Sequence, residues 1–152
     1  MAYAEAKYLD QDAIPVVDIS ALRDGSDPDS VATQLHAASQ HLGFIYISGH
    51  GIPEECISGI RKLAFDFFRS SSSNKDEVAV SSSHRGWLAA GGAKMGDKQK
   101  PDLKESFIWG MQDASGDTVL DHPLRGQNQW PGFLPELDPA AMDYSQKAHY
   151  VA

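Results

Sequence analysis

An α/β portion of a larger fold is the class this sequence predicts, on three observations. Residues 44–47, Phe-Ile-Tyr-Ile, are an aromatic and β-branched run closed by Gly49 and Gly51, the pattern of a buried strand entering a turn. Apolar residues recur at helical spacing on both sides of that run. A strand with a helix on each side needs neighbouring strands, and the candidates are residues 14–17 upstream and 106–109 downstream.

The elements follow in order. After a polar leader, Ile14-Pro15-Val16-Val17-Asp18-Ile19 reads as extended, with Pro15 suited to a strand start or an edge. An Asp- and Gly-rich loop comes next. Asp27 is then placed as an N-cap with Pro28 at the first helical position, and Val31, Leu35, Ala38 and Leu42 form the apolar spacing behind it. Gly43 ends that helix and opens the 44–47 strand. Pro53 starts a second helix, with Glu54 and Glu55 in its positive first turn and Ile57, Ile60, Ala64 and Phe67 as one core-facing stripe.

Residues 70–73, four serines, break the pattern. Asn74 with Glu77 matches a capping box, which predicts a short third helix through Val80. Residues 84–100 are polar and glycine-rich and read as one long loop. Residues 106–109 form the next strand, followed by an irregular region with Pro123, Pro131 and Pro135. The tail from 139 to 152 reads as a helix, ending in AHYVA without a glycine cap or a terminating proline, as though cut in mid-course.

The totals bound the function. A chain of 152 residues can form one domain and bury roughly 70% of its unfolded surface. With 41% hydrophobic and 22% charged residues it has a globular composition. No apolar run approaches a membrane span, and the start MAYAEAKYLD carries charge where a secretory signal needs apolar residues, so a cytoplasmic location is expected. Cys56, the single cysteine, is placed on a helix as a buried residue and excludes an internal disulfide or a multi-cysteine metal site. A net charge of −8 opposes nonspecific binding to nucleic acid and to anionic lipid. Small molecules and proteins are the expected partners.

Candidate chemistry is sparse. Iron and zinc sites use histidines with a carboxylate at defined local spacing, and none of the six histidines supplies it. His36 and His41, five apart on one helix, lie about 140° apart around its axis, so both read as solvent-facing. His50, in a glycine turn, reads as structural, and Asp18, at a strand end, as a turn-capping carboxylate rather than an acid or base. Gly91 and Gly96 imitate the outer glycines of a P-loop, but Asp97 stands where lysine is required, which rejects that reading. Arg85-Gly86-Trp87 is the most suggestive triplet. An arginine and an aromatic beside a flexible glycine can grip a carboxylate substrate and cover its apolar part, so Arg85 and Trp87 are the substrate-binding candidates. The competing reading is an arginine in a surface ion pair beside a tryptophan packed on the core.

Six segments taken together resemble the N-terminal region of the isopenicillin N synthase-like iron(II)/2-oxoglutarate dioxygenases. They are IPVVDIS at 14–20, GFIYISGHGI at 43–52, Phe67-Phe68, RGW at 85–87, PDLKESFIWG at 101–110 and NQWP at 128–131. The resemblance implies an oxygenase with a double-stranded β-helix (jelly-roll) core. There a His-x-Asp pair and a distant histidine hold iron, leaving positions open for 2-oxoglutarate and oxygen, and an Arg-x-Ser pair binds 2-oxoglutarate. This chain departs from that pattern. No histidine is followed two places later by Asp or Glu, and Arg69-Ser70-Ser71 has the Arg-x-Ser spacing only in the serine tract after a helix. The tract at 70–73 also replaces the Leu-Pro usual in the family.

The implied organisation is a leader at 1–13, a non-haem dioxygenase N-terminal domain at 14–138, and at 139–152 the start of a helix leading to an absent catalytic jelly roll. The expected fold is thus the helix-and-strand subdomain that packs on such a jelly roll. The parent is expected to use iron(II) and 2-oxoglutarate to oxidise a small organic substrate. This chain alone is expected to be inactive, with no catalytic, cofactor or metal residues of its own, and with the missing jelly roll as intramolecular partner. Arg85 matches a position from which some members contact substrate. The alternative is a noncatalytic interaction module derived from this fold.

Overall fold

Strand β1 (Val16–Asp18) lies parallel to β2 (Tyr46–Ser48), in the register Val16 to Tyr46, Val17 to Ile47 and Asp18 to Ser48. A computed structural model describes residues 14–41, 43–92, 102–110 and 126–151, which divide between two units at Gly51 and Ile52. The leader, Leu42, Gly96, Asp97 and His122 lie outside the described residues, as does the side chain of His41.

In the first unit, parallel pairing demands a crossover, and it contains two helices, α1 (Ser20–Arg23) and α2 (Pro28–His41). Helix α2 begins as its sequence dictates. Asp27 Oδ1 accepts the Ser30 amide at 3.2 Å, and Pro28, which has no amide to satisfy, is the first helical residue. Helix α1 occupies what reads as loop; at four residues it is too short to show periodicity. Val17, Ile19, Val31 and Ala38 are the buried apolar residues among those described in this unit.

The 44–47 run is not a buried central strand. It enters β2 only at Tyr46, and Phe44 and Tyr46 are 74% and 59% exposed. The physical reason is pairing: among the described residues β2 has one hydrogen-bonded neighbour, β1, so there it is an edge, and a short apolar run does not distinguish an edge from a centre.

The second unit contains α3 (Glu54–Arg69), α4 (Ser72–Asp76), β3 (Gly86–Leu88), β4 (Ser106–Ile108) and α5 (Leu137–His149). Helix α3 packs on α5. Phe67, 1% exposed, sits at the centre of a core with Val78, Trp87 and Leu137, and the Phe107 ring meets it edge-on with centroids 4.7 Å apart. Truncating such a residue removes about 3–5 kcal/mol. Ile57, Ile60 and Ala64, on the same stripe, are half-buried, as is Cys56, expected to be buried.

Three boundaries differ from expectation. The cap of α4 is Ser71, whose Oγ accepts the Asn74 amide at 3.3 Å. The serine tract therefore starts the helix, because a serine hydroxyl satisfies an orphan amide as well as asparagine does. The helix ends at Asp76 rather than Val80, whose amide donates instead to Trp87 O at 2.8 Å. Helix α5 starts two residues before Pro139. The predicted loop from 84 contains β3, and β4 pairs with it antiparallel, Trp87 opposite Phe107, rather than with β2. No described helix is long and apolar enough to cross a membrane.

Candidate functional site

The segment that carries Arg85 is bent by hydrogen bonds at both ends. Trp87 N donates to Val78 O at 2.6 Å, Ser81 N to Arg85 O at 2.9 Å and His84 N to Ser81 O at 3.0 Å. The bend puts His84 at φ 55° and Gly86 at φ 110°. Histidine tolerates the left-handed region at a modest penalty, but the Gly86 conformation is one that side chains resist. Space at Gly86 is also closed, since a Cβ there would lie 2.8 Å from Gln129 Nε2 and 3.1 Å from Ala79 O.

Gln129 holds the other side of the bend. Its Nε2 donates to Arg85 O at 2.5 Å and to Ala79 O at 3.1 Å. Arg85 itself is half-buried, donates from Nη1 to His84 O at 3.3 Å, and lies against Gly110, where a Cβ would sit 2.5 Å from Nη2. Gly110 is pinned in turn by Asn128. The Gly110 amide donates to Asn128 Oδ1 at 2.9 Å, and Asn128 Nδ2 donates to Gly110 O at 2.8 Å.

Trp87, expected beside Arg85 at a ligand surface, lies in the core at 9% exposure. Extended backbone would set residues 85 and 87 on one face, but φ at Gly86 interrupts that alternation. The indole Nε1 donates to Glu105 Oε2 at 2.7 Å, and Lys75 Nζ donates to the same oxygen at 2.8 Å. Lys75 Nζ also donates to Phe68 O and stands 5.1 Å from the centroid of the Trp87 ring. The bond from Lys75 holds the Glu105 carboxyl below its usual range; burial opposes this, and the indole bond supports it. Trp87 thus anchors β3 and does so through a nearly buried charge pair.

The turn containing His50 is organised by Asp18 and Arg23. Asp18 Oδ1 accepts the Ser20 amide at 2.8 Å, and hydrogen bonds from the Ser20 hydroxyl and amide lower its carboxyl pKa. Arg23 Nη1 donates to Gly49 O at 2.9 Å. Asp18 therefore caps a turn, and His50 is half-buried between Gly49 and Gly51, both at positive φ. Arg69 places its guanidinium over the Phe65 ring at 5.0 Å and Ser71 caps α4, so the Arg-x-Ser spacing at 69–71 serves local structure.

A cleft of about 330 Å³ lies between α3 and α5. Cys56 Sγ approaches Asp143 Oδ2 at 3.3 Å there, and Asp143 also pairs with Lys147. Burial, then the bond to Asp143, pushes the Cys56 thiol above its ordinary value, which disfavours the nucleophilic thiolate. His36, His84 and His149 are exposed, and among the described residues no three His, Cys, Asp or Glu side chains converge on a point where a metal could sit. That donor set does not fit a ferrous ion.

Sequence reasoning singled out Arg85 and missed the residues that fix it. Asn128 and Gln129 stand more than 40 residues away along the chain, and no local pattern marks a side chain that will bond to distant backbone.

Residues 14–132 match the family model described as non-haem dioxygenase in morphine synthesis, N-terminal. The chain is 30% identical over 149 residues to a homoarginine-6-hydroxylase of Glycine max, covering 89% of this chain and 44% of that protein. It is 29% identical over 141 residues to leucoanthocyanidin dioxygenase 1 of Oryza sativa subsp. indica, covering 91% and 36%. Among solved structures, a full-length Neurospora crassa protein in complex with alpha-KG and thymine has a TM-score of 0.68 at 22% identity, covering 92% of this chain and 46% of that one. A 2OG-Fe(II) oxygenase family protein of Caulobacter crescentus gives 0.69 at 22% identity, covering 90% and 44%. The chain therefore spans less than half the length of each of these relatives.

Proposed function

The chain belongs to the non-haem dioxygenase N-terminal family, and on that premise we propose that it is the N-terminal part of a cytoplasmic iron(II)- and 2-oxoglutarate-dependent oxygenase acting on a small organic substrate. The observation that carries this reading is the family match over 14–132, in a chain covering 44% of a 2-oxoglutarate dioxygenase relative. The ligands for iron and 2-oxoglutarate belong to the remaining, jelly-roll part, on which these helices and strands pack. When bound there, the metal supplies oxygen activation. This chain contributes Arg85, whose backbone is fixed on both sides and whose guanidinium can grip a substrate carboxylate through paired N–H donors. Trp87 anchors the strand immediately after it.

The test reads the transcript beyond the codon for Ala152 and assays its full product. A continuation carrying His-x-Asp and a later histidine is expected, with iron- and oxygen-dependent conversion of 2-oxoglutarate to succinate. In that product Arg85→Ala should raise KM for the prime substrate more than it changes uncoupled 2-oxoglutarate turnover. A stop codon directly after Ala152 in every transcript overturns the reading.

A further inference from the structure

We infer that Arg61, Phe65 and Arg69, on the outer face of α3, form a docking surface for an extended acidic segment of a partner protein, one that carries two carboxylates with an apolar residue between them.

Core packing does not account for this face of the helix. Phe67 is 1% exposed, whereas Phe65, two residues earlier and so about 200° away around the axis, is 46% exposed. An arginine stands about one helical turn from Phe65 on either side. Arg61 Cζ is 5.7 Å from the centroid of the Phe65 ring and Arg69 Cζ is 5.0 Å from it. Both arginines are exposed. Among the described residues neither pairs with a carboxylate: Asp66, beside them on the helix, pairs with Lys62 at 2.6 Å, and Glu136 also acts on Lys62. Arg61, Lys62 and Arg69 against Asp66 thus make the stripe locally basic on a chain of net charge −8.

Charge and spacing select the occupant. Arg61 and Arg69 lie eight positions apart, about 12 Å along the helix axis. An extended chain covers that distance in about four residues, and its alternation puts residues i, i+2 and i+4 on one face. Carboxylates at the first and last of these positions meet the two guanidiniums, and an apolar side chain at the middle one lies on Phe65. Each guanidinium offers paired donors to a carboxylate. Stacking on the ring already restricts both side chains, so less freedom is lost on binding. Arginine beside an exposed aromatic is also the combination in which interface hot spots are enriched. Nucleic acid and anionic lipid fit less well. Salt screens charges beyond about 8 Å at physiological strength, so a short segment meets the local stripe, while a duplex or a bilayer spans enough surface to meet the net charge of −8.

The test uses the 152-residue chain and the dye-labelled peptide GSESLSESG, followed by fluorescence anisotropy. Wild type should bind it with a Kd of about 100 μM, weakening about threefold between about 50 and 200 mM salt. It should bind GSQSLSQSG about tenfold more weakly. Phe65→Gln should weaken binding of the acidic peptide about fivefold. The doubly reversed chain, Arg61→Glu with Arg69→Glu, should lose GSESLSESG and bind GSKSLSKSG instead, an exchange that a purely structural role for these arginines would not produce.

No saturation by wild type up to about 1 mM peptide overturns the docking surface. Equal affinity for GSQSLSQSG overturns it too, as does unchanged affinity in Phe65→Gln or in the reversed chain. Tighter binding to a DNA duplex or to phosphatidylserine vesicles than to the peptide overturns the protein partner. Self-association of the wild type that the reversed chain loses, with no peptide bound, makes the occupant a second copy and overturns it equally. If the reversed chain does not fold, Arg69→Gln decides: a loss of about threefold sustains the surface, and no loss overturns it.

Discussion

Replacing Glu105 with alanine removes the oxygen on which Lys75 and Trp87 converge, and the consequence can be worked from the contacts. Lys75 Nζ loses a bond of 2.8 Å and Trp87 Nε1 one of 2.7 Å. Hydrogen bonds to a charged partner contribute about 1.5–3 kcal/mol each. The Glu105 side chain is 29% exposed and that of Lys75 10%, so water re-solvates part of what is lost while Phe68 O keeps one bond to the ammonium. The low end of the range applies to each bond, giving about 3 kcal/mol for Glu105→Ala. Glu105→Gln keeps a neutral acceptor and should cost about 1–2 kcal/mol. Together with Lys75→Met the loss should be sub-additive by about 1–2 kcal/mol, since the substitutions remove one shared contact.

Urea unfolding followed by tryptophan emission measures this, and the three tryptophans, at 87, 109 and 130, all lie in the second unit. Acid adds an independent check. The folded Glu105 carboxyl lies below its unfolded value of 4.5, so its contribution is complete above that pH and is lost as pH falls through the folded value. Glu105→Gln should abolish that part of the acid dependence. A loss under about 1 kcal/mol for Glu105→Ala, or full additivity with Lys75→Met, would refute the triad as a stabilising unit.

Gly86→Ala should destabilise by more than about 2 kcal/mol, because its φ is unfavourable to a side chain and Val78 O and Gln129 Nε2 crowd the added carbon; a melting temperature within a degree of wild type counts against the bend described here. Ser71→Ala should reduce stability by about 1 kcal/mol and Asn74→Ala by less, since the hydroxyl of Ser71 caps α4 and Asn74 supplies only its backbone amide. Equal losses in chemical denaturation would return the cap to Asn74. The exposed Phe44 and Tyr46 beside the open edge of β2 should make the isolated chain self-associate, and Tyr46→Lys should lower that association in sedimentation without changing the tryptophan-monitored melt of the second unit; association that Tyr46→Lys leaves unchanged counts against this edge as its cause.

Helix starts and turns were written locally in the residues. Asp27 before Pro28, Glu54 and Glu55 after Pro53, and Gly43 at φ 73° each satisfy or strain groups within a few positions, so spacing alone locates them. The family likewise shows in dispersed motifs, and Arg85 stood out because its neighbours in sequence were Gly86 and Trp87. Strand pairing was legible only in part: β1 is the expected upstream neighbour of β2 and pairs with it, but three-residue strands carry no register, β3 lay inside an apparent loop, and β4 took it as partner instead of β2. Nor could any local pattern bring Lys75 and the Trp87 indole onto one oxygen of Glu105, 30 residues beyond Lys75. Local geometry is settled by neighbours along the chain. The contacts that bury Trp87 and hold Arg85 between Gln129 and Gly110 exist only once distant segments have closed on one another, and tertiary packing alone decided them.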